Sequence, residues 1–164
     1  MKPKDIIQAI AARLADVKTL HYIDRDWGQL DEEQPAVKFP CALVDVEQIQ
    51  FEDCLNTVQT AECDITITVA VLNFHNTSRC APKKDKGYDV FDIIDDIHAA
   101  LHLYGTQNLA PLVRRSLVKI DVGKDHAVYQ LTYHTAYTTR LDREYDTTPT
   151  APLSIKINYQ RSQL

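Results

Sequence analysis

Apolar and polar positions alternate most cleanly in ECDITITVAVLNF, Glu62 to Phe74. Ile65, Ile67, Val69 and Val71 fall on one side, and Asp64, Thr66 and Thr68 on the other, which predicts a half-buried strand. The Thr66 and Thr68 side carries no nucleophile or ligand partner, so solvent or a neighbouring subunit is expected to cover it. Upstream, Ile6, Ile7, Ile10, Leu14 and Val17 recur at helical spacing and predict an amphipathic helix from Lys4 to Val17. Pro3 suits its first turn, where a missing N–H costs nothing, and Asp5 complements the dipole at that end. A second helix is predicted from Tyr88 to Tyr104, with Val90, Ile93, Ile94, Ile97, Leu101 and Tyr104 inward and Gly105 as its C-cap.

The remaining pattern is mostly strand. TLHYI, Thr19 to Ile23, predicts a short one. In Pro40 to Glu52, Ala42, Val44 and Val46 share a parity that Ile49 and Phe51 reverse. A strand cannot change its buried face without a bulge or strong twist, so a bulge is predicted near Glu47–Gln48. Arg114 to Arg140 reads as a hairpin with Gly123 in its turn. Val118, Ile120 and Val122 alternate on one arm. Tyr129, Leu131, Tyr133 and Tyr137 form a half-buried face on the other, their hydroxyls free to reach water or a neighbour. Helix, strands, helix, hairpin is an α+β order: an antiparallel or mixed sheet with two helices packed on one face.

Three polar stretches separate these elements. DRDWGQLDEEQPAVKFP is acidic, with Asp31–Glu33 read as solvated and Trp27 as a lid over a core edge. His75 to Gly87 lacks apolar period and gathers Lys83, Lys84 and Lys86 at a positive tip, a mobile and solvated surface loop. Asp146 to Pro152 reads as a linker. Beyond it Ile155, Ile157 and Tyr159 alternate with polar residues, a potential strand for subunit contact on a flexible C-terminal arm. Residues 1–141 are thus one domain, and 142–164 linker and arm.

Composition narrows the chemistry. The 164 residues carry a formal net charge of -5, which argues against a broad basic footprint for nucleic acid. Four glycines leave no Gly-rich phosphate loop. No apolar run approaches the ~20 residues that span a bilayer, and the charged N-terminus reads as a folded helix and not a signal peptide. Cys41, Cys54, Cys63 and Cys80 include no C-x-x-C pair, so free thiols in a reducing compartment are expected. Asp95, His98 and His102 make the best metal-like set, since residues three and four apart share a helix face. There is no H-E-x-x-H motif, and His98 lies at the rim of the apolar stripe, so no metal or other cofactor is expected. His75 and Cys80 lie near each other without the ordered, electropositive setting that activates a thiol. No catalytic residue is assigned, and the chain is read as non-enzymatic. The contrary reading is a small metal-dependent or thiol enzyme built on Asp95, His98 and His102 or on Cys80.

Several of these segments together resemble the bacteriophage tail terminator (tail-completion) family. IIQAIAARLADVKTL is similar to its opening helix and FPCALVDV to its first core strand. AECDITITVAVLNF and GYDVFDIIDDIHAALHL are similar to its central strand and second helix, and VYQLTYHTAYTTRL to its closing strand. The resemblance spans Lys4 to Leu141. It implies a structural protein of phage or prophage that forms a ring, commonly a hexamer, on the head-proximal end of the tail tube. Such a ring ends tube polymerisation and presents a docking surface to the head–tail connector. Its partners would be further copies of itself, the tail tube protein and the connector. DNA would pass through an acidic lumen without specific binding, and no membrane is involved. The location implied is the virion, and the host cytoplasm during assembly. A head–tail connector or neck protein is the nearest alternative. The arm from Asp142 to Leu164 exceeds what the resemblance covers.

Overall fold

A computed structural model describes residues 1–55, 58–72, 80, 87–122 and 126–140; for Cys54, Leu55, Asp121 and Val122 it describes the backbone alone. The chain runs α1 (Pro3–Leu14), β1 (Tyr22–Arg25), β2 (Cys41–Leu55), β3 (Val58–Val71), α2 (Asp89–Leu101), β4 (Val113–Val122) and β5 (Ala127–Arg140). Pro3 stands in the first turn of α1, and the Lys2 backbone N–H donates to Asp5 Oδ2 at 2.8 Å. The helix stops at Leu14, short of the predicted Val17. Tighter turns follow, closed by Val17 N–H to Leu14 O and Leu20 N–H to Val17 O, and they tuck Val17 under the core.

The strands form one sheet in the order β1-β2-β3-β5-β4. β1 runs parallel to β2, and every other neighbour is antiparallel. The sheet is therefore mixed and the fold α+β. Both helices lie on one face. Ile6, Ile10 and Leu14 of α1 and Ile94, Ile97 and Leu101 of α2 are fully or almost fully buried against Val44, Ile65, Ile67, Leu131 and Tyr133. Each such aliphatic contributes about 1.5–3 kcal/mol of burial before ordering entropy is subtracted. Arg13 joins the helices: its Nε–H donates to Ala100 O at 3.0 Å, and its guanidinium lies 5.9 Å from the centre of the Tyr104 ring.

The parity change in β2 is resolved by a bulge at the predicted place. The β2–β3 register shifts between Glu47 and Gln50, and Gln48 takes a left-handed φ of 51°. Before the shift Val46 opposes Ile65; after it Phe51 opposes Ala61, so both parities reach the helix side. Phe51 then meets the Tyr137 ring edge-on, centroids 6.5 Å apart.

The opposite face of β3 departs from expectation. Thr66 and Thr68 are 4 % and 7 % exposed, covered by the chain itself and not by solvent. Cys41, Ala70 and Val128 form a second, smaller core, packed by Tyr22, Leu30, Val37 and Phe39. The polar segment after β1 folds back over the sheet, pinned at its start by a turn. Asp26 N–H bonds Val44 O, Asp26 Oδ1 accepts from Gly28 N–H, and Gly28 takes φ 88°. Gln29 is fully buried there, its Nε2 donating to Arg25 O and its Oε1 accepting from Trp27 N–H. Trp27 is not the lid: its side chain is 57 % exposed, while Leu30, Val37 and Phe39 do the covering. Asp31–Glu33 are exposed as expected.

α2 keeps its predicted inner face but ends at Leu101. Gly105 is not its C-cap. His102 caps it in an extended conformation, and the left-handed residue is Leu103, φ 60°. Leu103 N–H donates to Leu112 O and Leu112 N–H to Tyr104 O, so the exit is set by pairing with the chain that enters β4. Gly105 answers a different need: a Cβ there would lie 3.0 Å from Leu109 O and 3.1 Å from Pro111 N. The predicted turn glycine, Gly123, lies outside the described residues, as do Asn73 and Phe74 at the end of the predicted central strand.

Candidate functional site

Asp95 and His98 stand three residues apart on α2 and His102 caps its end, but the three do not form a metal-holding group. His98 Nδ1 stands 3.3 Å from the Tyr133 hydroxyl, and its ring tilts against His102 with centroids 4.7 Å apart. Burial, then the nearby Arg114 guanidinium, then His102 lower the His98 pKa, with Asp95 opposing. A neutral imidazole at the edge of the core, joined to a buried tyrosine, is the outcome. Among the described residues no three histidine, cysteine or acidic side chains are arranged to hold a metal ion. Cys41 and Cys63 are buried, and burial pushes both thiols up to about 11; each behaves as a small apolar group. Cys80 is exposed and free. His75, Lys83, Lys84 and Lys86 lie outside the described residues, and so do Ile155, Ile157 and Tyr159.

Two clefts among the described residues bear on the chemistry. One of about 440 Å³ lies between Val71 and Leu72 at the end of β3 and Val90 and Ile93 of α2. Its walls are largely apolar, and His21 on its rim already bonds Phe39 O at 2.8 Å. The other, about 670 Å³, separates α1 from β1 and β2 and is lined by Lys4, Gln8, Asp24, Arg25 and Asp45. Neither presents a nucleophile with a base beside it.

The surfaces that stand out are the two sides of the sheet. Among the described residues β4 is an outer strand, and both its faces are exposed and partly apolar: Val113 is 39 %, Leu117 42 %, Val118 51 % and Ile120 52 % exposed. Arg114, Arg115 and Lys119 make it basic. Lys119 Nζ sits 5.8 Å from the Tyr129 ring centre. Past the start of β4, the same side of β5 is closed by a connecting segment, through Ala110 N–H to Ala136 O and Thr138 N–H to Asn108 O. On the opposite side, the short β1 pairs only with Cys41–Val44, and Asp26 adds one bond to Val44 O. β2 continues for another eleven residues with no strand beside it among the described residues. That run is acidic, through Asp45, Glu47 and Asp53, and holds Phe51 at 53 % exposure. An open sheet must have edges, but the sequence does not say which strands they are. The signal is present in adjacent Leu117 and Val118, which put apolar groups on both faces of one strand.

No protein-family profile matches the chain, and no curated protein does. Among solved structures it is similar to a chain in the structure titled "Virion of native gene transfer agent (GTA) particle". The two are 15% identical over 81% of this chain and 92% of the other, with a TM-score of 0.46.

Proposed function

We propose that this protein is a structural component of phage or prophage assembly, specifically a tail terminator: a ring subunit that caps the tail tube, stops its growth and offers a docking surface to the head connector. The observation that carries the reading is a single sheet with open edges of opposite charge on its two sides, one of them apolar on both faces. A monomer that keeps such edges exposes itself to strand pairing; an assembly subunit uses them. The likeness of Lys4–Leu141 to the terminator pattern supports the finer assignment. In this reading Lys83, Lys84 and Lys86 face the tube or connector, and Ile155, Ile157 and Tyr159 extend the contact between subunits. The ring, commonly of six, passes DNA without binding it specifically. The test adds the purified chain to polymerising tail tube protein from the same genome and follows tube length by negative-stain microscopy. Shortened tubes with extra density at one end are expected. Tubes of unchanged length with bare ends would remove the terminator assignment.

A further inference from the structure

The two open edges fit one another. We infer that the outer edge of β4 in one copy pairs, antiparallel, with the outer edge of β2 around Glu47–Asp53 in the next copy, so that the sheet continues from subunit to subunit. The inference deepens the ring reading and rests on it for the use to which the ring is put.

Strand direction allows it. β2 and β5 run one way, β3 and β4 the other. Placing copies side by side without inverting them therefore sets β4 against β2 of the neighbour in antiparallel fashion. With Val118 opposite Gln50, antiparallel alignment brings Arg115 opposite Asp53 and Lys119 opposite Ile49, two residues from Glu47. Basic meets acidic along the junction, and the exposed Leu117 falls on the face that carries Phe51, with Val118 on the opposite face.

The stagger fits as well. The middle of β4, Val118, lies level with Gln130 of β5 and Thr68 of β3, whereas the middle of the open β2 edge, Gln50, lies level with Glu62 of β3. Matching the edges thus displaces each copy by the distance from Thr68 to Glu62, about 20 Å at ~3.3 Å per residue. The repeat is the four spacings from β2 through β3, β5 and β4 to the next β2, about 19 Å at ~4.8 Å each. The resulting tilt is about 45°, at the upper end of the ~35–45° of closed sheets. A head-to-tail contact with that tilt closes a ring and does not stop at a dimer. Bulges beside Arg114 and Lys119 are devices that also protect free edges. Here they bracket Ser116–Lys119, where Leu117 and Val118 remain exposed.

The test uses the full chain and sedimentation velocity over a concentration series. One variant reverses β4 (Arg115→Glu with Lys119→Glu), the other reverses β2 (Glu47→Lys with Asp53→Lys). All four positions are exposed, and circular dichroism checks folding. Each variant alone should weaken self-association by at least about tenfold, and an equimolar mixture should restore it, because each then offers the charge the other needs. For the unaltered chain, rising salt should weaken association. A monomeric unaltered chain at its highest soluble concentration, a response to only one reversal, or association indifferent to salt and to both reversals would each overturn the pairing. Tube capping reads out separately. Capping by chains that ignore both reversals removes the pairing and keeps the terminator. Pairing without capping does the opposite.

Discussion

Gln29→Ala isolates the segment that covers the back of the sheet. The side chain is fully buried and holds two backbone groups, Arg25 O at 3.0 Å and Trp27 N–H at 2.9 Å. Each bond contributes about 0.5–1.5 kcal/mol, and leaving both groups unpartnered raises the cost to about 2–3 kcal/mol. That loss falls on residues that pack Cys41, Ala70 and Val128, not on the helix-side core. Local opening should therefore become roughly 30- to 150-fold more frequent. The assay is maleimide labelling followed by peptide mapping. Cys41, under this segment, should react faster by about that factor, while Cys63, buried under the helices, keeps its protection. Equal acceleration at both thiols would show that the two cores open together. No change at Cys41 would show that Gln29 does not hold the cover in place.

Ile97 is fully buried at the helix–sheet contact, and Ile97→Asp should cost more than about 4–5 kcal/mol and abolish cooperative melting, with exposed Asp96→Ala within about 0.5 kcal/mol of the parent. Tyr137→Phe should be neutral or stabilising by up to about 1–2 kcal/mol in denaturant titration, since its buried hydroxyl has no partner among the described residues. Tyr133→Phe, which loses the contact with His98, should not share that gain. Cys41 and Cys63 ionise near 9 when unfolded and near 11 when folded, so the stability their burial lends is intact below pH 9 and is lost as pH rises from 9 through 11. His98 is shifted down, so its share is present above pH 6.5 and is lost on acidification. A melting temperature that stays flat from pH 9 to 11 would contradict the thiol assignment.

Much of the fold was legible because one face of each element is strictly apolar. The stripe of α2 and the parity reversal in β2 each allowed one packing solution, and the bulge at Gln48 follows from parity alone. The back of β3 was not legible. Thr66 and Thr68 look like solvent-facing residues, and the segment that packs Cys41, Ala70 and Val128 on the same face does so through Leu30, Val37 and Phe39, too scattered among polar residues to show a period. Gly105 was misplaced for a related reason: a helix exit set by pairing with distant Leu112 leaves no local mark. The edges were half legible. Composition marks β4 as apolar on both faces, but only strand order shows that β1 is too short to cover β2.

Hydrogen exchange, read by mass spectrometry on the assembled and the dissociated chain, tests the central claim most directly. Assembly should slow exchange in two places at once, Ser116–Ile120 of β4 and Glu47–Asp53 of β2, and leave the amides of α1 and α2 unchanged. Protection gained along the helices, or at only one of the two edges, would contradict it.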